Sequence, residues 1–155
     1  MTYRRILVPV DGSATSGAGL KQALALAKDQ HAKVKLLHVV DEFHAFSTPD
    51  GGLNAGAILA SLKRGGRELL DRAVRTASAR GVEPESALVE NLSGRVADVV
   101  VQQAKRWHAD LIVMGTHGRR GMNRALLGSD AEMVVRQAPV PVLLVRSRGA
   151  RRASR

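Results

Sequence analysis

Cysteine is absent from this 155-residue sequence, and aromatic residues make up only 3% of it. Without cysteine the protein has no disulfide framework, no thiolate zinc site and no cysteine nucleophile, which leaves histidines and carboxylates as candidate metal ligands. No apolar run approaches the ~20 residues that a membrane-spanning helix requires, and the N-terminus has no signal-peptide pattern. We therefore expect one domain that folds without metal or disulfides and resides in the cytoplasm.

Positive charge is in excess, with 24 Lys and Arg against 14 Asp and Glu and a formal net charge of +10. Such an excess suggests a nucleic-acid partner until the charges are located. Residues 146–155 carry five arginines and no acid, which is half of the excess. We expect a domain of residues 1–146 followed by a disordered Arg-rich tail, residues 147–155. The few aromatics offer no platform for stacked bases, and nucleic-acid binding through the tail is kept as an alternative.

Short apolar runs alternate with helical patterns along the chain. Five strands are predicted, at residues 3–10, 34–40, 86–90, 110–115 and 140–146. Four helices are predicted between them: residues 15–30, a second from residue 58 to near Gly81, a third capped by Ser93 that runs to Trp107, and a fourth that begins at Ser129 with a capping box to Glu132. Residues 41–56 are predicted to form a long mobile loop. The alternation predicts an α/β fold with a single open parallel sheet and helices on both faces.

Two loops at the carboxyl ends of predicted strands carry residues suited to a ligand. Asp11-Gly12-Ser13 follows the first strand, and Gly115-Thr116-His117-Gly118 follows the fourth and leads through nine residues to Gly128-Ser129. Gly115 and Gly118 would permit positive φ angles and close approach of a ligand. The helix start at Gly128-Ser129 offers free amides to a phosphate, with arginines nearby in the intervening loop. This is an anion site, although it is neither a Walker A loop nor the dinucleotide G-x-G-x-x-G pattern.

These segments resemble the universal stress protein family, whose nucleotide motif is G-x2-G-x9-G-(S/T). The resemblance covers residues 3–146 and rests on five segments in order: residues 5–13, 37–40, 110–118, 128–129 and 138–145. It implies a Rossmann-like five-stranded parallel sheet with strand order 3-2-1-4-5. It also implies an ATP-binding regulatory or stress-response protein with at most slow ATP hydrolysis, for which ADP or AMP are alternative ligands.

The resemblance also implies which residues contact the nucleotide. They are Pro9, Val10, Asp11, Val39, Met114, Gly115, His117, Gly118, Arg119, Gly128, Ser129 and Asp130. Asp11 would face the ribose hydroxyls and the Val39 backbone the adenine, while Met114 and Gly115 would pack on adenine and ribose. The later glycines and the Ser129 hydroxyl would hold the phosphates, which in turn would hold Mg²⁺ or Mn²⁺.

Asp130 departs from the family pattern, in which many members have a small apolar or hydroxyl residue at that position. A carboxylate there is favoured by the helix dipole, by ~0.3–1 kcal/mol, but would repel a nearby triphosphate unless a metal bridges them. His117 and the loop arginines, among them Arg119, could compensate for that repulsion.

Each of these residues also has a structural alternative. Ser129 could serve only as a helix N-cap, Asp11 could merely turn the loop after the first strand, and His117 could be an ordinary loop residue. The runner-up function is an enzyme of the adenylate-forming type, although the His-x-Gly-His and Ser-Gly-Gly-x-Asp signatures of such enzymes are missing.

The last predicted strand suggests a homodimer. Pro139 and Pro141 at its start are tolerated chiefly at a sheet edge, and an apolar edge is a pairing hazard unless it is covered. The family typically covers it with the same strand of a second subunit. We therefore expect a homodimer that pairs through the segment between Val140 and Val145.

Overall fold

A computed structural model describes residues 1–47, 54–92, 94–117 and 126–147, without the side chains of residues 44 and 45. Its strands are β1 (Arg5–Pro9), β2 (Lys33–Asp41), β3 (Glu85–Asn91), β4 (Leu111–Gly115) and β5 (Val142–Val145). Its helices are α1 (Ala14–Gln30), α2 (Glu42–Phe46), α3 (Ala55–Ser78), α4 (Val96–Arg106) and α5 (Ser129–Gln137). The predicted alternation of strands and helices is therefore confirmed, with one short helix added after β2.

All five strands form one parallel sheet in the order β3-β2-β1-β4-β5, as the resemblance implied. The order reverses between β1 and β4, where Ile6 lies opposite Leu111. Successive residues of the central strands point to opposite faces, so both faces must be covered by apolar side chains. Ile6 and Val8 pack under α1 and α3, whereas Leu7 packs under α4 and α5.

The segment after β2 differs from the predicted long loop, because it contains α2. The Asp41 carboxylate caps this helix by accepting a hydrogen bond from the Phe43 N–H at 3.2 Å. Residues 48–53 of the predicted loop lie outside the described residues. Phe43 in the first turn of this helix is 60% exposed.

Both predicted N-caps in the second half of the chain need correction. Ser93 lies outside the described residues, and α4 begins at Val96 with Arg95 as its N-cap. The predicted capping box at Ser129 was wrong: the N-cap of α5 is Gly128, and Ser129 is the first helical residue. The Gly128 carbonyl accepts the first intrahelical hydrogen bond, from the Glu132 N–H at 2.9 Å.

Gly65 and Gly66 do not interrupt α3, which is continuous through both. Packing requires a glycine at position 66, because an added β-carbon would lie 2.7 Å from the His38 ring and 2.8 Å from the Leu88 side chain. The glycine lets the helix approach β2 and β3 closely. Among the residues that the structure describes, no helix is both long enough and apolar enough to cross a membrane.

Candidate functional site

A cleft of about 890 Å³ opens at the carboxyl ends of β1, β2 and β4, where the strand order reverses. Ligands of open α/β sheets bind at this position, because the loops after β1 and β4 diverge there to opposite faces. Most of the predicted site residues line it: Pro9, Val10, Asp11, Val39, Met114, Gly115, Gly128, Ser129 and Asp130. Gly118 and Arg119 lie outside the described residues, and His117 is described but does not line the cleft.

The loop after β1 is held by a compact set of hydrogen bonds around Asp11. The Asp11 carboxylate accepts from the Ser13 N–H at 2.8 Å, and its own N–H donates to the Ser16 hydroxyl at 3.1 Å. Gly12 between them has a φ of +82°, which a residue with a side chain rarely adopts. Asp11 therefore does form the turn that the structural alternative proposed, and it lines the cleft as well.

Gly115 is needed for a different reason from the predicted one. Its φ is not positive, but an added β-carbon would lie 2.6 Å from the carbonyl carbon of Thr15 and 2.7 Å from the Ser16 nitrogen. The missing side chain therefore lets the first turn of α1 pack directly on the end of β4. This contact holds the loops after β1 and β4 against each other at the cleft.

His117 connects the loop after β4 to its surroundings. Its carbonyl accepts hydrogen bonds from the Ser13 hydroxyl at 3.3 Å and from the Thr15 hydroxyl. Its ring pairs Nδ1 with the Thr116 hydroxyl at 3.0 Å and Nε2 with the Leu126 carbonyl. Because a carbonyl only accepts, the Nε2–H donates in the contact with Leu126. Both ring nitrogens are thus engaged with neighbouring residues, Thr116 and Leu126.

The N-terminus of α5 lies at the cleft, and the hydroxyl of Ser129 does not cap the helix. The Gly128 N–H donates to the Thr116 carbonyl at 2.8 Å, which fixes the start of α5 beside the end of β4. No side-chain cap bond forms at this helix start, since Ser129 already has helical geometry. The first amides of a helix have no intrahelical acceptor and carry its positive dipole end. The Ser129 hydroxyl and the first helical amides, those of Ser129 and Asp130, are therefore the hydrogen-bond donors that this helix start offers to the cleft.

Several cleft residues were not among the predicted site residues. Arg95, Met133, Asp41, Phe43 and Leu62 belong to this group. Arg95 was hidden by the prediction of Ser93 as the N-cap, and the residues of α2 lay in a predicted loop. A basic residue directly before a helix that follows a strand was the one signal available for Arg95.

Glu42 is a buried carboxyl group beside the cleft. Its exposure is 1%, and neither of its oxygens has a hydrogen-bonding partner among the described residues. Burial, and then the neighbouring Glu90 carboxylate, raise the pKa of Glu42 above its usual range. Lys63, whose Nζ lies 2.6 Å from a Glu90 oxygen, lowers the pKa of Glu90. Of the two carboxyls, Glu42 therefore retains its proton to the higher pH.

Replacing Glu42 with glutamine is expected to raise the thermal unfolding midpoint at pH 7.5 to 8 and to reduce the pH dependence of stability. Because the pKa of Glu42 is raised, the folded state binds this proton more tightly than the unfolded state does. The stability contributed by this proton is therefore present in full below the pKa of the unfolded state. The contribution is lost as pH rises through the folded pKa. Melting curves from pH 5 to 8 would check this, with Glu68→Gln on the exposed face of α3 as control; equal curves for the Glu42→Gln variant and wild type would contradict it.

The described part of the chain brings no three His, Asp or Glu side chains together as metal ligands. Asp11 and Asp130 both line the cleft, so an ion that arrives with a ligand would meet carboxylate oxygens on its wall. Such oxygens suit Mg²⁺, which is usually held by one or two carboxylates together with substrate phosphates.

A parallel sheet with a cleft at its reversal point and a helix N-terminus at that cleft defines the class of open α/β ligand-binding domains. The family follows from comparison with known proteins. The model of the universal stress protein family matches residues 2–146. The chain belongs to the universal stress protein family.

Relatives cover nearly the whole chain. A universal stress protein of Methanocaldococcus jannaschii is 38% identical over 144 residues, which span 93% of this chain and 82% of the relative. A universal stress protein from Archaeoglobus fulgidus, solved in complex with dAMP, is 25% identical with a TM-score of 0.63, covering 94% of this chain and 99% of that one. A third, solved in complex with cAMP, is 28% identical with a TM-score of 0.62, covering 95% and 99%.

Proposed function

We propose that this chain binds an adenine nucleotide, with ATP as its ligand, and acts as a regulatory stress-response protein with at most slow ATP hydrolysis. The observation that carries the proposal is the N-terminus of α5, which presents Gly128 and the non-capping Ser129 to the cleft at the sheet reversal. Two similar proteins of the family hold dAMP and cAMP, which supports an adenine nucleotide as the ligand class. The cytoplasmic location predicted from the sequence is part of this proposal.

The adenosine would lie against the ends of β1, β2 and β4. Pro9, Val10, Val39 and Met114 give this part of the cleft an apolar lining. Asp11 would accept hydrogen bonds from the ribose hydroxyls, because a carboxylate beside two neighbouring hydroxyl donors can accept both. These side chains bind and orient the nucleoside without a nucleophile or a dedicated base.

The phosphates would lie at the start of α5. The Ser129 hydroxyl and the amides of Ser129 and Asp130 would donate to phosphate oxygens beside Gly128, with Gly118 and Arg119 of the family motif completing the site. Mg²⁺ or Mn²⁺ would arrive with the nucleotide, held mainly by its phosphates. The ion would neutralise phosphate charge next to Asp130.

Replacing Asp130 with asparagine is expected to strengthen ATP binding in the absence of divalent ions by about fivefold. A pair of unit charges ~4 Å apart is worth about 1 kcal/mol even in water-like surroundings, and ATP brings more negative charge there than AMP does. The gain should be smaller for AMP and smaller for ATP with Mg²⁺. Calorimetric titrations would measure it, with Glu132→Gln in the same helical turn as control; a weaker affinity for ATP would contradict the expected repulsion.

The homodimer belongs to the same proposal. Among the described residues β5 pairs only with β4, so its outer edge carries no strand partner, and Leu143 is 37% exposed. An apolar edge of this kind favours pairing with a second copy. Light scattering at micromolar concentration should give twice the 16.6 kDa mass of one chain. Leu143→Lys should shift the mass toward the monomer, and a monomeric wild type would contradict the proposal.

Mass spectrometry of the protein as purified tests the nucleotide proposal without a choice of ligand. Denaturation should release an adenine nucleotide in an amount that depends on Ser129. A released ligand of another chemical class would contradict the proposal.

A further inference from the structure

Arg95 is the only lysine or arginine among the described residues that line the cleft. The described lining also contains Asp11, Asp41 and Asp130. A ligand with several negative charges therefore meets more carboxylates than cations on these walls. Arg95 is consequently the described side chain best suited to attract the anionic end of a ligand.

Arg95 lines the cleft and contacts α5. The residue directly precedes α4, and its backbone N–H is held by the Asp98 carboxylate at 3.4 Å. Its side chain is directed to α5, where Nη1 lies 3.5 Å from the Met133 sulfur. A thioether is a weak acceptor, so this contact leaves most of the five guanidinium donors unused.

Met133 relates Arg95 to the start of α5. It lies four residues after Ser129, so the two side chains are neighbours on one helix face, about one helical turn of 5.4 Å apart. Both residues line the cleft. The guanidinium thus contacts the residue one turn after Ser129, on the same wall of the cleft as the amides and hydroxyl that would hold the first phosphate.

We propose that Arg95 is the residue that makes the cleft discriminate nucleotides by the length of their phosphate chain, by pairing with the terminal phosphates of ADP and ATP. This inference rests on the proposed nucleotide function and specifies the ligand class that the site prefers. A planar guanidinium can donate two parallel hydrogen bonds to a phosphate, whereas a lysine offers a single point charge. AMP has no phosphate that extends to Arg95, so its binding depends on the adenosine contacts and the start of α5.

Calorimetric titration of wild type, Arg95→Gln and Arg95→Lys with AMP, ADP and ATP, each with Mg²⁺, tests the proposal. Arg95→Gln should weaken ATP binding roughly 10–100-fold, the range for a hydrogen bond to a charged group, and should change AMP binding less than about twofold. ADP should fall between them. Arg95→Lys should recover part of the ATP affinity, because it restores the charge and not the fork.

The control is Arg106→Gln, which removes an exposed arginine at the other end of the same helix and should leave all three affinities unchanged. Thermal melts of each variant verify that the fold is retained. Equal loss for AMP and ATP, or no loss for ATP, would overturn the role of Arg95 while the nucleotide function stands. A wild type that binds none of the three nucleotides would overturn the proposed function itself, and this inference with it.

Discussion

Replacing Ser129 with alanine should weaken ATP binding roughly 10–100-fold and leave the melting temperature of the ligand-free protein nearly unchanged. The affinity estimate follows from losing a hydrogen bond to a charged phosphate, which contributes about 1.5–3 kcal/mol. The unchanged stability follows from the structure, in which Gly128 is the N-cap of α5 and the Ser129 side chain makes no cap bond. Calorimetry with ATP and thermal melts without ligand measure the two quantities separately.

This pair of measurements separates the binding role of Ser129 from the capping role. Removing a serine N-cap costs about 1 kcal/mol of stability, so a capping serine would lower the melting temperature and leave the affinity alone. Ser129→Thr keeps the hydroxyl and should retain most of the affinity. A lower melting temperature of the Ser129→Ala variant with unchanged ATP binding would show that the hydroxyl serves the helix instead of the ligand.

Replacing Gly115 with alanine should destabilise the protein by about 1–3 kcal/mol, because the new β-carbon overlaps backbone that cannot move away easily. The overlap is with the Thr15 carbonyl carbon at 2.6 Å and the Ser16 nitrogen at 2.7 Å, both in the first turn of α1. For a domain of this size the melting temperature should fall by roughly 3–10 °C. Nucleotide affinity should fall as well, since the loops after β1 and β4 would be pushed apart at the cleft.

Gly17→Ala is the matched control for Gly115→Ala. Gly17 lies in α1, the helix that packs on Gly115, and an added β-carbon at Gly17 meets nothing within 4 Å. Alanine is the better helix former, by roughly 0.5–1 kcal/mol, so this variant should be as stable as wild type or slightly more so. A Gly115→Ala variant that melts at the same temperature as Gly17→Ala would contradict the close packing of α1 on β4.

The sheet was predictable because its central strands are apolar on both faces. β1 and β4 are short continuous runs such as Leu111–Gly115, and a parallel sheet covered by helices on both sides requires that pattern. The strand order did not come from the pattern: it came from the resemblance, since neither periodicity nor turn chemistry states which strands are adjacent. The structure confirms it, with β1 between β2 and β4.

Helix starts and the less obvious cleft residues were harder to predict, because tertiary contacts determine them. Ser129 and Glu132 fit a capping box in sequence, but the bond from the Gly128 N–H to the Thr116 carbonyl fixes the chain one residue earlier. Arg95 reaches the cleft only because α4 and α5 lie side by side on one face of the sheet. Both contacts join residues that are far apart in the sequence, so rules based on local sequence cannot predict them.

The cleft between β1 and β4 is proposed to hold an adenine nucleotide at the start of α5. Isothermal titration of nucleotide-free protein with ATP and Mg²⁺ tests this most directly. We expect saturable heat with one ATP per chain, and much less heat from the Ser129→Ala variant. Nucleotide at ~1 mM detects a binding free energy as weak as about −4 kcal/mol. No heat from wild type with ATP, ADP or AMP at that concentration would contradict nucleotide binding in this cleft.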